Sequence, residues 1–177
     1  VESWEKMEHV TLDGVLDVHV VRAKWLANRD KGMSKSDPYT TLTLCGKQLC
    51  KTVSILNDDC PEWNYEQKIY VHGKVPETEN LLVEVWDTDL KTQDDFLGKV
   101  ELPLQPLVVG GKSAQGVFTL KRRKRFERVS GDITLGITYT PGPPAEDSEE
   151  PVLNVQVGED VSSTPWFNPG DAVAGKS

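Results

Sequence analysis

Apolar and polar residues alternate with a period of two in a string of short segments, each closed by turn residues. After Gly14, Leu16, Val18 and Val20 alternate with Asp17 and His19. From Pro38 to Cys45, Tyr39, Thr41 and Thr43 alternate with Thr40, Leu42 and Leu44. Six further runs cover Gln48 to Leu56, Tyr65 to His72, Leu81 to Asp87, Leu97 to Leu104, Val117 to Lys121, and Gly131 to Tyr139. A period of two sends successive side chains to opposite faces of an extended strand. Eight such runs with almost no helical period predict an all-β chain folded as an antiparallel sandwich. Gly46-Lys47 reads as a two-residue hairpin turn. That turn would set Leu44 opposite Leu49 and Cys45 opposite Gln48, so Cys45 and Cys50 would not face each other. His19 falls on the polar phase and reads as a sheet-surface residue.

The 177 residues suffice for one domain with a proper core. No stretch approaches the roughly twenty apolar residues of a spanning helix. Val1 to His9 is charged and lacks the apolar core of a secretory signal. Cys45, Cys50 and Cys60 are odd in number and lack metal-finger spacing, which implies thiols in a reducing, intracellular compartment. The chain opens without a methionine, so residues 1–13 are expected to be a linker from an upstream domain or a short helix. Residues 14–140 are the expected folded domain. Pro141-Gly142-Pro143-Pro144 and the acids after them mark residues 141–177 as a flexible acidic tail. Val152, Val155 and Val157 with Trp166-Phe167 are apolar enough to dock transiently on the sandwich. The net charge of −8 is concentrated in that tail, where one lysine meets seven acids, while residues 1–140 hold 19 bases and 21 acids. The domain is thus near neutral, and an acidic rim would leave much of its remaining surface basic.

Two loops concentrate carboxylates. Between the run ending at Trp86 and the one resuming at Phe96-Leu97 lie Asp87, Asp89, Asp94 and Asp95. Between the first two runs, Asn28 to Tyr39 holds Asp30 and Asp37 with Gly and Ser between them. Like charges repel in so short a loop, so a cation among them is the chemistry that rewards the pattern. A hard dication such as calcium takes roughly six to eight oxygens, many from aspartate. Neighbouring strands would bring both loops to one rim, where they can share an ion. A solvated acidic loop is the plain alternative.

Ser36-Asp37-Pro38-Tyr39, then Lys51-Thr52, then Trp86-Asp87-Thr88-Asp89 and Asp95-Phe96-Leu97-Gly98 resemble, in this order, the signature of a C2 domain. That family is a calcium-dependent membrane-binding β-sandwich. The resemblance runs from about Gly14 to about Thr140, and its style is similar to the extended synaptotagmins, tricalbins and Munc13-type proteins. It implies an eight-stranded antiparallel Greek-key sandwich. Because a strand closes the chain and none precedes Gly14 convincingly, the circularly permuted second (type II) topology is expected. The resemblance assigns calcium to Asp30 and Asp37 of the first loop and to Asp87, Asp89 and Asp95 of the third, with Thr92 supplying a further oxygen. Asp87 and Asp89 are two apart, so on an extended segment their side chains leave on one side. Asp95, where the loop turns back, can close the cage. Five carboxylates suit two calcium ions. The sequence departs from the family pattern at Asn57–Asn64, where Asp58, Asp59 and Cys60 separate Asn57 from Pro61, and Asp30 and Asp37 stand one residue further apart than is usual. Trp63 and Asn64 are expected to lock the base of that loop.

The mechanism so implied is an electrostatic switch: the bare acidic rim repels anionic headgroups, and calcium reverses the local potential and accepts lipid oxygens. Arg29, Lys31, Lys35 and Lys91 would flank the contact with a phosphatidylserine-like membrane, with Met33 and Leu90 as shallow apolar tips. A phosphoinositide site on the sheet face would use Tyr39, Lys51 and Trp86, but Thr41 and Leu49 stand where lysines are usual, so it is expected to be weak or absent. Lys121-Arg122-Arg123-Lys124-Arg125 is a separate basic run, an exposed loop or a secondary anionic contact. Gly170 to Ser177 fits the P-loop pattern, yet prolines precede it and no helix can follow, so no nucleotide is expected. No nucleic acid is expected either. Three histidines and the lack of a G-x-S-x-G or H-E-x-x-H motif argue against an active centre. The expected protein is cytoplasmic and peripheral on the cytosolic face of a membrane, with protein partners through its flanks. The alternatives are a protein-interaction module with calcium structural or absent, and a targeting domain of a larger lipid-handling enzyme.

Overall fold

A computed structural model describes residues 8–28, 34–146 and 149–159. Among the described residues nine strands form: β1 His9–Lys24, β2 Pro38–Leu44, β3 Lys47–Lys51, β4 Glu62–Pro76, β5 Asn80–Asp87, β6 Asp95–Pro103, β7 Ala114–Thr119, β8 Asp132–Pro141 and β9 Val152–Gln156. One short helix, α1 Leu104–Val108, links β6 to β7. The strands make two sheets ordered β7-β8-β1-β4-β9 and β3-β2-β5-β6. β8, closing the eight expected strands, lies between β7 and β1, which is the permuted order.

Alternation dictates the packing. Leu12, Leu16, Val18 and Val20 of β1 turn inward beside Ile69 and Val71 of β4 and Ile133, Leu135 and Ile137 of β8. They meet Leu42 and Leu44 of β2, Leu81, Val83 and Val85 of β5, and Val100 and Leu102 of β6. Each of these side chains contributes about 1.5–3 kcal/mol on burial. Leu104 and Leu107 of α1, three apart on one helical face, close the core between β6 and β7.

Four features differ from expectation. The β2–β3 turn is Cys45-Gly46, not Gly46-Lys47, and Leu44 pairs with Lys47. Cys45 and Gly46 have φ of 52° and 75°, the left-handed pair that a tight hairpin needs at both central residues. β1 begins at His9, five residues before Gly14, because it runs beside β4 as far as Pro76. β3 ends at Lys51, well short of Leu56.

The fourth difference lies in the acidic tail. β9 adds to the outer edge of β4, parallel to it, with Lys68 opposite Val152 and His72 opposite Gln156. Val157 is buried, and its amide donates to the carbonyl of His72 at 2.9 Å. Gly73 makes room: a Cβ there would lie 1.7 Å from the Val157 carbonyl oxygen. Lys74 and Glu159 exchange backbone hydrogen bonds beyond it. Val155 and Val157, at alternate positions and packed on the core, thus outweigh the polar composition around them. Trp166-Phe167 and the Gly170–Ser177 run lie outside the described residues. Among the described residues, no helix is long and apolar enough to cross a membrane.

Candidate functional site

Register fixes which loops share a rim. β1 ends at Lys24 opposite Asp132, the start of β8, and Arg22 is opposite Glu62, the start of β4. β5 ends at Asp87, opposite both Pro38 at the start of β2 and Asp95 at the start of β6. The loops that follow Lys24, Lys51, Asp87 and Thr119 therefore all leave the sandwich at one end. The first and third are the acidic loops.

Asp37 ties three of these loops together. Its amide donates to Asp87 Oδ1 at 2.8 Å, its Oδ1 accepts the Asn57 amide at 2.6 Å, and its carbonyl accepts the Thr88 amide at 3.1 Å. Asn57 Oδ1 in turn accepts the Lys35 amide at 2.6 Å. Asp87 is fully buried. A bulge in the β5–β6 pair sets it beside Asp95: Val85 is opposite Gly98, but Trp86 is opposite Phe96, so Leu97 is the extra residue. The bulge explains why Phe96 and Leu97 are both buried although adjacent. It also shifts the phase so that two carboxylate residues face each other.

Asp89 lies on the same loop but folds back on it. Its Oδ1 accepts the amides of Lys91 and Thr92 at 2.9 and 3.2 Å, and its Oδ2 accepts the Thr92 hydroxyl at 2.7 Å. The Thr92 hydroxyl first, and then the two amides, hold the Asp89 carboxyl below its usual range. Asp94 accepts the Asp89 amide at 3.0 Å and the Tyr39 hydroxyl. Burial, with Asp94 alongside, keeps the Tyr39 phenol protonated far above its ordinary range. The sequence offered no signal for this tether.

Of the expected ligands, Asp87 is opposite Asp95 and accepts the Asp37 amide, while Asp89 and Thr92, on the loop between Asp87 and Asp95, are bonded to each other. Asp30 lies outside the described residues, as do Arg29, Lys31 and Met33. Among the described residues, no three His, Cys, Asp or Glu side chains are gathered in the manner of a metal centre. The donors are nonetheless all hard oxygens at one rim, with a buried carboxylate at the base. That chemistry fits calcium better than a softer metal.

Of the expected lipid contacts, Lys35 is drawn to Asp59 at 3.5 Å. Lys91 is exposed, and Leu90 is 96% exposed at its loop tip. Trp25, at the start of the first acidic loop, and Leu56, on the loop after β3, are also exposed apolar residues, and sequence periodicity did not single them out. The indole nitrogen of Trp63 donates to the Pro38 carbonyl at 3.3 Å, locking the loop base as expected.

Tyr39, Lys51 and Trp86 lie on one face of the β3-β2-β5-β6 sheet. The Lys51 ammonium sits 4.4 Å above the Tyr39 ring. Glu84 and Asp94 line the same open hollow, a poor setting for a phosphate. Burial raises the Glu84 carboxyl above its usual range. His19 faces Glu66 on the sheet surface, 3.9 Å away.

The C2 domain family profile matches residues 14–120. The chain is 36% identical over 132 residues to an Arabidopsis thaliana protein named calcium-dependent lipid-binding protein, covering 71% of this chain and 25% of that one. It is 33% identical over 161 residues to the E3 ubiquitin-protein ligase NEDD4 of Mus musculus, covering 79% of this chain and 18% of that one. The chain thus spans a quarter or less of both these relatives. Among solved structures, a calcium-bound pair of C2 domains from extended synaptotagmin 2 superposes with a TM-score of 0.58 at 25% identity, covering 73% of this chain and 47% of that one. Sandwich order, rim loops and family profile agree, and the chain belongs to the C2 domain family.

Proposed function

We propose that this domain docks on anionic phospholipid surfaces in response to calcium. The observation that carries the reading is the buried Asp87 carboxylate, opposite Asp95 and hydrogen-bonded by the Asp37 amide. Two acidic residues face each other at the base of a rim that also holds Asp89 and Thr92. A relative named for calcium-dependent lipid binding and a calcium-bound C2 neighbour support the same reading.

Asp37, Asp87, Asp89 and Asp95, with Asp30 from the first loop and Thr92 from the third, would hold the metal, and their charge would suit two calcium ions. When bound, calcium reverses the rim's negative potential and offers coordination positions to headgroup phosphate or carboxylate oxygens. Asp89, whose carboxylate accepts from the Lys91 and Thr92 amides and the Thr92 hydroxyl, would supply oxygens to that set from the loop between Asp87 and Asp95. Lys91 adds attraction to a phosphatidylserine-like surface, assisted by Arg29, Lys31 and Lys35, while Leu90 and Met33 enter the interface shallowly. The domain works at the cytosolic face of a membrane, and serves as the targeting module where it forms part of a larger protein.

The test is sedimentation with phosphatidylserine vesicles. Wild-type protein pellets more in calcium than in chelator, and Asp89→Asn loses that calcium increment. An increment that Asp89→Asn leaves unchanged removes the switch and favours a protein-interaction role with calcium structural or absent.

A further inference from the structure

The expected basic run lies on the rim. Residues 120–131 join β7 to β8, and β8 starts at Asp132, opposite Lys24 at the end of β1. The loop is pinned there. Arg128 Nη2 donates to the Asn28 carbonyl at 2.9 Å, and Ser130 Oγ to the Trp25 carbonyl at 2.8 Å. Lys121 exchanges backbone hydrogen bonds with Lys99 of β6 on the other side.

Residues 121–128 carry six basic side chains and one acid, Glu127. That acid is occupied by Arg123, through Nε at 3.0 Å and Nη2 at 2.7 Å, and Arg123 stacks 4.0 Å from the Phe96 ring. Arg122, Lys124 and Arg125 remain exposed around Phe126, which is 88% exposed with φ at 71°. A bulky residue held at positive φ is uncommon, and here it shelters no core surface. Cations beside an exposed aromatic match a bilayer, where headgroups attract the charge and the interface takes the ring.

We infer that loop 121–130 is a second lipid-contacting element on this rim, binding anionic membranes without a metal and inserting Phe126. It rests on the reading of the rim as membrane-facing, but its chemistry needs no calcium. The acidic loops and this basic loop divide the work: the basic loop gives a weak, permanent attraction, and the acidic loops add to it when loaded.

The 177-residue chain is sedimented with phosphatidylcholine vesicles, with and without phosphatidylserine, in chelator and in calcium. In chelator, wild-type protein prefers the phosphatidylserine vesicles, and added salt weakens the binding. Each basic side chain near such a surface strengthens binding about fivefold, so Arg122→Gln/Lys124→Gln/Arg125→Gln weakens it by about a hundredfold. Phe126→Asn suits the positive φ, keeps the thermal midpoint, and weakens chelator binding severalfold. Asp89→Asn leaves chelator binding intact and removes only the calcium increment. A wild-type protein that shows loop-dependent chelator binding but no calcium increment refutes the metal switch and supports this inference. Chelator binding that is absent, indifferent to phosphatidylserine or unchanged in the triple variant overturns it. Loop-dependent capture of soluble polyglutamate with vesicle binding unchanged also overturns it.

Discussion

Asp87 and Asp95 stand directly opposite each other across β5 and β6, where most strand pairs place groups that attract. Facing residues of an antiparallel pair have Cβ atoms about 4.5–5.5 Å apart, and like charges directly opposite are destabilising. In chelator, Asp95→Asn should therefore stabilise the fold by about 0.2–1 kcal/mol. In calcium the same variant should lose the metal's stabilisation. Thermal melts with and without chelator read both effects, and a lower midpoint in chelator would show that the pair does not repel.

Calcium binding to the folded state alone must raise stability by mass action. At about a hundred times the dissociation constant the gain is about 2.7 kcal/mol, or roughly 5–10 °C in a domain of this size. Magnesium, which keeps its waters and demands a stricter octahedron, should give less. Differential scanning calorimetry with each ion decides it.

The basic loop should loosen in acid. The Arg123 guanidinium, then the amides of Arg123 and Lys124, pull Glu127 from 4.5 down to about 2. A carboxyl depressed in the fold contributes stability that is complete above the unfolded value and lost as pH falls through the folded one. The window is thus about 4.5 to 2, and Arg123→Gln should remove the largest part of the depression, leaving what the two amides supply. Carbon-detected NMR titration of the Glu127 carboxyl follows it.

Thiol chemistry should be slow. Burial, with Glu79 adding for Cys45, pushes the thiols of Cys45 and Cys50 up to about 11. At pH 8 roughly one in a thousand is thiolate, which is the reactive form. Iodoacetamide should label both only as denaturant unfolds the chain, as mass spectrometry of tryptic peptides would show.

The tail strand should matter to stability. Val157→Ala removes buried methyl groups against β4 and should cost about 1–3 kcal/mol in urea unfolding. No measurable cost would mean that β9 is marginal to the domain.

Strands were legible because alternation is a local signal, and each of the eight expected runs overlaps a strand. The permuted order followed from a strand-like run at 131–139 with none convincing before Gly14. What was hidden depends on partners distant in sequence. The polar surroundings of Val152 to Gln156 concealed a strand that only the free edge of β4 stabilises. The hairpin moved one residue because Cys45 tolerates positive φ, which its side chain does not advertise. In the rim, neighbouring strands made the meeting of Asp37 with Asp87 foreseeable. The Asn57 amide on Asp37, the Tyr39 hydroxyl on Asp94 and the return of Asp89 to Thr92 were not, since each is set by a loop conformation. The basic run was visible as composition, and only the pairing of Asp132 with Lys24 placed it beside the acids.

The long first strand also separates the two ends of the molecule. β1 has sixteen residues, about 50 Å at roughly 3.3 Å each. Its start at His9, the exit of β8 at Pro141 and the contact of Glu159 with Lys74 all lie at the pole away from the four loops. With the rim on lipid as proposed, any polypeptide joined at that pole would be held off the bilayer by the height of the folded body. The sandwich would then act as a spacer as well as a grip, setting how near anything attached there could come to lipid.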